Sequence, residues 1–183
     1  LGVSRGPIRE ACCGLAKTGL LTTVVNRGFF VRQVMRKEAI DVYEVRASLM
    51  RLAGATLAQQ ITRTQLEVLG GLVDRMDEAE CKRDFDSFYA LNEKFHDCIV
   101  EFAGNERLHA ICKGLAKELH LYRSRSLLSG GGFGVSNKEH KDILAALTSG
   151  DADEAGAALK AHIQAGKRRF LAATESDNDE MNI

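Results

Sequence analysis

A chain of 183 residues is long enough for one ordinary domain and part of a second, and its 45% hydrophobic content is normal for a globular protein. It has no apolar run long enough to cross a membrane and no start typical of a signal peptide, so we expect a cytoplasmic protein with no membrane partner. The five cysteines form no CxxC pair, which argues against a zinc finger and favours reduced thiols.

The formal net charge of zero hides an uneven distribution of charge along the chain. Residues 1–37 contain seven basic residues against one acidic residue, a net charge of +6. Residues 38–183 contain 18 basic and 24 acidic residues, a net charge of −6. Positive charge gathered in one small segment is typical of a nucleic-acid-binding surface, so the charge pattern indicates DNA as a partner independently of any motif.

The segment Val3–Leu21 has the pattern of a short basic helix. Ser4 is a good N-cap, and apolar residues then recur at helical spacing until a lysine and a glycine end the pattern. Arg5 and Arg9 are four residues apart and therefore share one face near the N-terminal end. Such a helix suits insertion into the major groove of DNA, although a surface helix with two solvated arginines has the same pattern.

Two short β-rich runs follow this helix. Thr22–Val25 and Phe29–Arg32 are separated by Asn26–Gly28, where Asn and Gly readily adopt a positive φ. A helix followed by a small basic hairpin is the second half of a winged helix-turn-helix.

The residues LGVSRGPIREACCGLAKTGLL followed by NRGFFV resemble the GntR family of bacterial transcription regulators. Gly6 departs from the family, which usually has a phosphate-contacting threonine at this position. Because further helices precede this motif in the family, the resemblance implies that residues 1–34 are a partial winged helix-turn-helix domain, whose first helices are expected outside this sequence.

For such a DNA-reading head we expect Arg5 and Arg9 to contact base edges in the major groove. Ser4 and Arg27 are expected to hold phosphates, and Gly28 lets the tip of the wing approach the minor groove closely. Two copies related by a twofold axis would read a palindromic operator, so we also expect a homodimer.

From residue 36 onward the sequence favours helices with short connections and no strand. Apolar residues at helical spacing predict six helices, which together suggest an all-α bundle. Their predicted bounds are Glu38–Ile61, Thr64–Glu80, Phe85–Ala103, Glu106–Leu128, Lys138–Thr148 and Asp153–Ala173. The predicted fold is therefore mainly α: a partial winged helix-turn-helix in residues 1–34, then a six-helix bundle in residues 36–175.

The run Ser129–Gly134 is rich in glycine. It lacks the Gly-Lys-Ser/Thr ending of a phosphate-binding loop and no strand precedes it, so we interpret it as a flexible connection between helices. The polar, acidic tail at residues 176–183 is expected to be disordered.

Three histidines have spacings that allow them to meet inside the bundle. His96 lies one helical turn after Asn92, and apolar neighbours suggest that it points inward. His140 and His162 each lie eleven residues from Asp151 in the predicted turn, so an antiparallel helical hairpin brings them to the same height. Three imidazoles at one level make a divalent-metal site easy to build, whereas the alternative is a set of hydrogen-bonded core histidines. His109 and His120 have no such arrangement and are predicted to be structural or surface residues.

The helical part resembles FCD, the effector domain that follows the winged helix in the FadR branch of GntR regulators. The matching segments are YEVRASL, NEKFHDCIVEFAGNERL, EHKDILAALTSGDADEA and ALKAHI. Many domains of this family hold zinc, nickel or manganese through one Asp and three His, which implies the positions Asn92, His96, His140 and His162. Asn92 departs from the family because its amide carries no charge.

Two types of effector site follow from this departure. We favour a metal held by the three histidines and completed by water or an anionic effector, over a metal-free pocket for an organic acid. The resemblance also implies that Arg46 helps to hold an effector carboxylate, and a salt bridge to an acidic neighbour is the alternative.

The sequence therefore predicts a ligand-responsive DNA-binding regulator that is not an enzyme. In this interpretation a small organic acid shifts the placement of the two DNA-reading heads. The alternative is a metal-dependent hydrolase built on the three histidines, against which the sequence offers no clear general base beside the cluster apart from Glu93 and Glu139. A third possibility is a metal that only braces the bundle.

Overall fold

The computed structural model of this chain describes residues 4–17, 21–31, 36–128 and 132–180. It divides into two compact units, Leu1–Ala39 and Ile40–Ile183. The sequence placed the boundary at about residue 35, whereas the structure places it within the first turn of a helix, α2, that begins at Arg36.

The first unit contains one helix and one hairpin. Helix α1 spans Arg5–Lys17, and strands β1 (Leu21–Val24) and β2 (Gly28–Val31) pair antiparallel with Val24 opposite Gly28. Asn26 and Gly28 adopt positive φ angles of 60° and 98°, as the turn composition predicted. Strand β1 begins and ends one residue earlier than expected and β2 begins one residue earlier, and Arg32 lies outside the described residues.

The second unit contains six helices in its described part, as the periodicity predicted. They are α2 (Arg36–Ala58), α3 (Arg63–Cys81), α4 (Phe85–Phe102), α5 (Glu106–Leu128), α6 (Gly132–Ser149) and α7 (Ala152–Glu180). Local chemistry defines several of the ends. Thr62 and Gln65 form a capping box at the start of α3, and Asp84 accepts a hydrogen bond from the Ser87 backbone at the start of α4.

Helix α6 begins six residues before its predicted start at Lys138. The expectation of a flexible connection throughout Ser129–Gly134 was wrong from Gly132 onward, because these residues are helical. Phe133 explains the difference: it is buried, stacks on Phe85 at a ring-centroid distance of 4.6 Å and meets Phe88 edge-on at 4.8 Å. This burial offsets the cost of helical glycines.

Helix α7 continues to Glu180, so the tail expected to be disordered from residue 176 is helical over most of its length. The chain has no glycine or proline after Gly166, and a polar composition does not by itself end a helix. Residues 181–183 lie outside the described part of the chain.

The core of the second unit is built from large side chains on several helices, among them Phe88 and Phe95 of α4 and Phe170 of α7. Helices α2 and α7 cross closely at Gly54, where an added Cβ would meet the Leu159 side chain and lie 2.9 Å from the Ala155 carbonyl oxygen. Gly150, with a φ of 75°, ends α6 and turns the chain back into α7. No helix in the described ranges has both the length and the apolar character needed to span a bilayer.

Candidate metal and effector site

The hairpin of α6 and α7 brings His140 and His162 together with a ring-centroid distance of 4.7 Å, as their equal distances from Asp151 predicted. Helix α4 adds His96, whose ring centroid lies 4.9 Å from that of His162 and 5.4 Å from that of His140. One ligand nitrogen from each ring lies within 4.8 Å of the others, and no ring is more than 4% exposed. We call these three residues the histidine cluster.

Neighbouring polar groups determine which nitrogen of two rings faces the cluster. His162 Nδ1 lies 2.7 Å from Glu139 Oε2, and a carboxylate accepts, so this Nδ1 carries the proton and donates. Asn137 donates its amide to the Val73 carbonyl and to Asp77, so its oxygen accepts from His140 Nδ1 at 3.2 Å. Both rings therefore turn a lone pair on Nε2 inward, the state required of a metal ligand.

The third ring completes the arrangement through a short contact between two nitrogens. His96 Nε2 and His162 Nε2 are 3.0 Å apart in a buried environment. Two imidazole nitrogens this close require either a shared proton or a cation between them, because two facing lone pairs repel. The donor set of three neutral imidazoles suits Zn²⁺ or Ni²⁺, so the residues present fit a divalent metal.

Glu139 is held ionised beside the cluster. Burial acts to raise its pKa, but hydrogen bonds from His162 and Arg169 outweigh burial and lower the pKa to about 2. Arg169 binds both carboxylate oxygens, at 2.8 and 2.9 Å. A carboxylate behind a ligand histidine fixes the orientation of the ring and raises its basicity. Glu139 therefore orients His162 instead of facing the cluster as a general base.

Asn92 lies one turn before His96 on α4 and is 1% exposed. Neither its amide oxygen nor its amide nitrogen has a hydrogen-bond partner among the described residues. A buried amide without partners is costly, so this side chain has donor and acceptor capacity available for a ligand at the site. Its role as a metal ligand stays a prediction.

Sequence reasoning missed the residues that orient the rings. Asn137 precedes His140 by three positions, a spacing that places both side chains on one helix face, and this signal was available. The pairing of Arg169 with Glu139 joins residues 30 positions apart and had no local signal. His109, predicted to be structural or a surface residue, lies 2.7 Å from Asp97. The side chain of His120 lies outside the described part of the chain.

A cavity of about 380 Å³ opens beside the cluster, between α2, α4 and α5. His96 reaches it from the cluster, and Arg46 of α2, 3% exposed, lines it as well. A volume in this range is typical of small-molecule sites. The other lining residues are Met50, Ala90, Glu93, Lys94, Asp97, Val100, His109, Cys112, Lys113, Ala116 and Lys117.

The residues predicted to contact DNA lie in the first unit. Arg5 and Arg9 are both exposed on α1, four residues apart. Ser4 directly precedes the helix, and Arg27 and Gly28 lie at the tip of the hairpin, also exposed. Exposure keeps these groups available to a polyanion, and their contacts with DNA stay predictions.

Comparison with known proteins gives one family result. The model of the FCD domain matches residues 41–165, which is more than half of the chain. The Nta operon transcriptional regulator of Aminobacter aminovorans is 32% identical over 169 residues, covering 90% of this chain and 76% of that protein.

Two solved structures have the same fold. The E. coli protein McbR/YncC superposes with a TM-score of 0.80 at 20% identity, covering 96% of this chain and 82% of that chain. The metal-free FCD domain of TM0439 gives a TM-score of 0.63 at 20% identity, covering 79% of this chain and 99% of that chain. The curated relatives at 30% identity or more are named as transcription regulators, so the hydrolase alternative finds no support among them.

Proposed function

Since the chain belongs to the GntR family of bacterial transcription regulators, in the FadR-type branch with an FCD domain, we propose that it is a homodimeric repressor or activator whose FCD domain binds a small carboxylate through a divalent metal. The observation that carries this proposal is the shared cavity of His96 and Arg46. The first belongs to the histidine cluster and the second is a buried guanidinium. An anionic ligand in this cavity would meet the guanidinium of Arg46 and, beside His96, the metal that the cluster would hold.

His96, His140 and His162 would hold the metal, and Asn92 is available beside them. When bound, the ion supplies a fixed positive charge that attracts an anionic ligand. The chain's own residues provide the rest: Glu139 and Asn137 orient two of the ligand rings, and Arg46 offers a fork of N–H donors to a carboxylate.

DNA recognition is proposed to lie in the first unit. Arg5 and Arg9 on α1 would read base edges in the major groove, Ser4 and Arg27 would hold phosphates, and Gly28 at the wing tip would approach the minor groove. All five residues are exposed, and the first 37 residues carry a net charge of +6, which supports this assignment.

An apolar stripe on α2 supports the homodimer. Val45 and Leu52 are 52% and 51% exposed, and they alternate with Val42 and Leu49 at the three- and four-residue spacing of a helix that pairs with another helix. A second copy of α2 lying against this one would cover the stripe.

We predict that the double substitution Val45→Glu and Leu52→Glu converts the dimer into a monomer, since an apolar interface cannot bury four unpaired carboxylates. Sedimentation velocity at micromolar concentration measures the change, and far-UV circular dichroism checks that the helices remain. Val68→Glu is the control, because Val68 on α3 is also exposed, at 45%, but lies outside the stripe. A dimeric double variant or a monomeric wild type would contradict this interface.

The proposed function is tested by selecting duplexes from a random DNA pool with the full-length protein. We expect a palindromic operator bound about 10³-fold or more above random DNA at moderate salt. Adding a divalent metal with a small carboxylate is expected to change operator affinity roughly 5- to 150-fold. If the protein shows no sequence preference, the proposal that it binds a specific operator is refuted. If no carboxylate tested changes the affinity for the operator, the proposal that a carboxylate is the effector is refuted.

A further inference from the structure

One wall of the cavity carries an unusual run of basic side chains. His109, Lys113 and Lys117 follow one another at four-residue spacing on α5, and all three line the cavity. Side chains four residues apart on a helix share one face, so the two lysines stand next to each other along this wall.

Two of these side chains, Lys113 and Lys117, have no acidic partner in the part of the chain that the structure describes. The acidic groups that α4 adds to the lining are already engaged: Asp97 contacts His109 at 2.7 Å and Lys94 at 3.8 Å. Glu93 accepts a hydrogen bond from the Tyr89 hydroxyl at 3.1 Å.

The cavity is therefore cationic within an acidic part of the chain. Its lining contains four permanently basic residues, counting Arg46 and Lys94, against the two acidic residues Glu93 and Asp97, a net charge of +2. Residues 38–183 as a whole have a net charge of −6. Two like charges at four-residue spacing repel each other, so α5 carries a small energetic cost that an anion between them would remove.

The groups of the lining that suit an anion lie at two different depths. Arg46 and His96, the cavity-lining member of the histidine cluster, are each 3% exposed and lie at the inner part of the cavity, whereas Lys113 and Lys117 are exposed and lie at its mouth. Much of the remaining lining is apolar: Met50, Ala90, Val100 and Ala116. An inner positive site, an apolar lining and an outer positive site match a ligand with two charged ends.

We infer that the effector carries two anionic groups joined by a short apolar linker. The inner carboxylate meets Arg46 and the histidine cluster, and the outer group, a carboxylate or a phosphate, meets Lys113 and Lys117. This inference rests on the proposed function, because it takes the cavity to be the effector site. It goes further by naming the class of effector and two residues that select it.

Three ligands of matched length test the inference by calorimetry on the metal-loaded, full-length protein. Pentanoate has one anionic end, glutarate has a carboxylate at both ends, and 4-phosphonobutyrate has a carboxylate and a phosphonate. At fixed ionic strength we expect at least one doubly anionic ligand to bind roughly tenfold more tightly than pentanoate, the gain from two partly exposed ion pairs. The tighter of the two identifies the outer group, and raising the salt concentration should reduce the gain.

The double variant Lys113→Met and Lys117→Met distinguishes the contribution of the two lysines to ligand affinity from that of the metal. We expect it to lose the tenfold gain of the doubly anionic ligand over pentanoate. Lys138→Met is the matched control, because this lysine is exposed on α6 and does not line the cavity. Circular dichroism checks that each variant keeps the helical content of the wild type.

The outcomes distinguish this inference from the function on which it rests. If the three ligands bind equally well, the outer site is refuted and the carboxylate effector remains. If the gain persists in the double variant, chelation by the metal explains it and the lysines do not. If none of the three ligands binds, the carboxylate effector itself is refuted, and the outer site with it.

Discussion

Replacing His140 with alanine is expected to abolish stoichiometric binding of Zn²⁺, Ni²⁺ or Mn²⁺ and to make thermal unfolding insensitive to a chelator. The physical reason is the geometry of the histidine cluster. His140 supplies one of three inward-facing nitrogens, and the two remaining rings leave too few ligands for a tight site. Because the metal binds the folded chain, its loss also removes the stability that binding contributes.

The measurement combines elemental analysis after equilibrium dialysis with thermal unfolding in the presence and absence of chelator. With free metal at 100 times its dissociation constant, binding stabilises the wild type by about 2.7 kcal/mol, or roughly 5–10 °C in Tm for a chain of this size. His109→Ala is the control, because His109 pairs with Asp97 and does not belong to the cluster. The prediction is contradicted if the dialysed wild type contains no metal and its Tm does not change when the chelator is added.

Asn92→Asp tests the same site through an expected gain of metal affinity instead of a loss. An aspartate adds a charged oxygen at a buried position one turn from His96, so we expect tighter metal binding than in the wild type. Asn137→Ala tests the orientation of His140 and is expected to weaken metal binding by about 10- to 100-fold. Unchanged affinity in both variants would place the metal elsewhere.

Replacing Arg9 with alanine is expected to weaken binding to the selected operator by about 1–3 kcal/mol, roughly 5- to 150-fold, and to relax specificity at one base pair. Arg9 is exposed near the N-terminal end of α1, the part of a recognition helix that reaches base edges. Fluorescence anisotropy against the operator and single-base variants measures both effects.

Arg27→Ala separates phosphate contacts from base contacts. Because Arg27 is proposed to hold a phosphate, its loss should weaken binding to all sequences alike and lower the salt slope by about 1. Arg63→Ala is the control, since Arg63 is also exposed but lies on α3 and pairs with Glu67. If Arg9→Ala weakens operator and random DNA equally, Arg9 does not read a base.

Much of the fold could be predicted from local patterns. Apolar periodicity located all six helices of the second unit, and Asn26 and Gly28 indicated the turn of the hairpin. The start of α6 could not be predicted, because helical glycines there depend on the packing of Phe133 against Phe85 and Phe88. The low helix propensity of glycine disfavours a helix at this point, and tertiary packing outweighs that propensity.

The sequence by itself determined that His140 and His162 lie at the same level of the α6–α7 hairpin, because both are eleven residues from its turn at Asp151. Helical period, caps and turns act between residues a few positions apart, so they can be read along the chain. Only the tertiary structure decided which nitrogens face inward and which cations surround the cavity. Those features depend on contacts such as Asn137 with Val73, 64 positions apart, and Arg169 with Glu139 across the hairpin. Such contacts arise from the packing of whole helices, which no local pattern specifies.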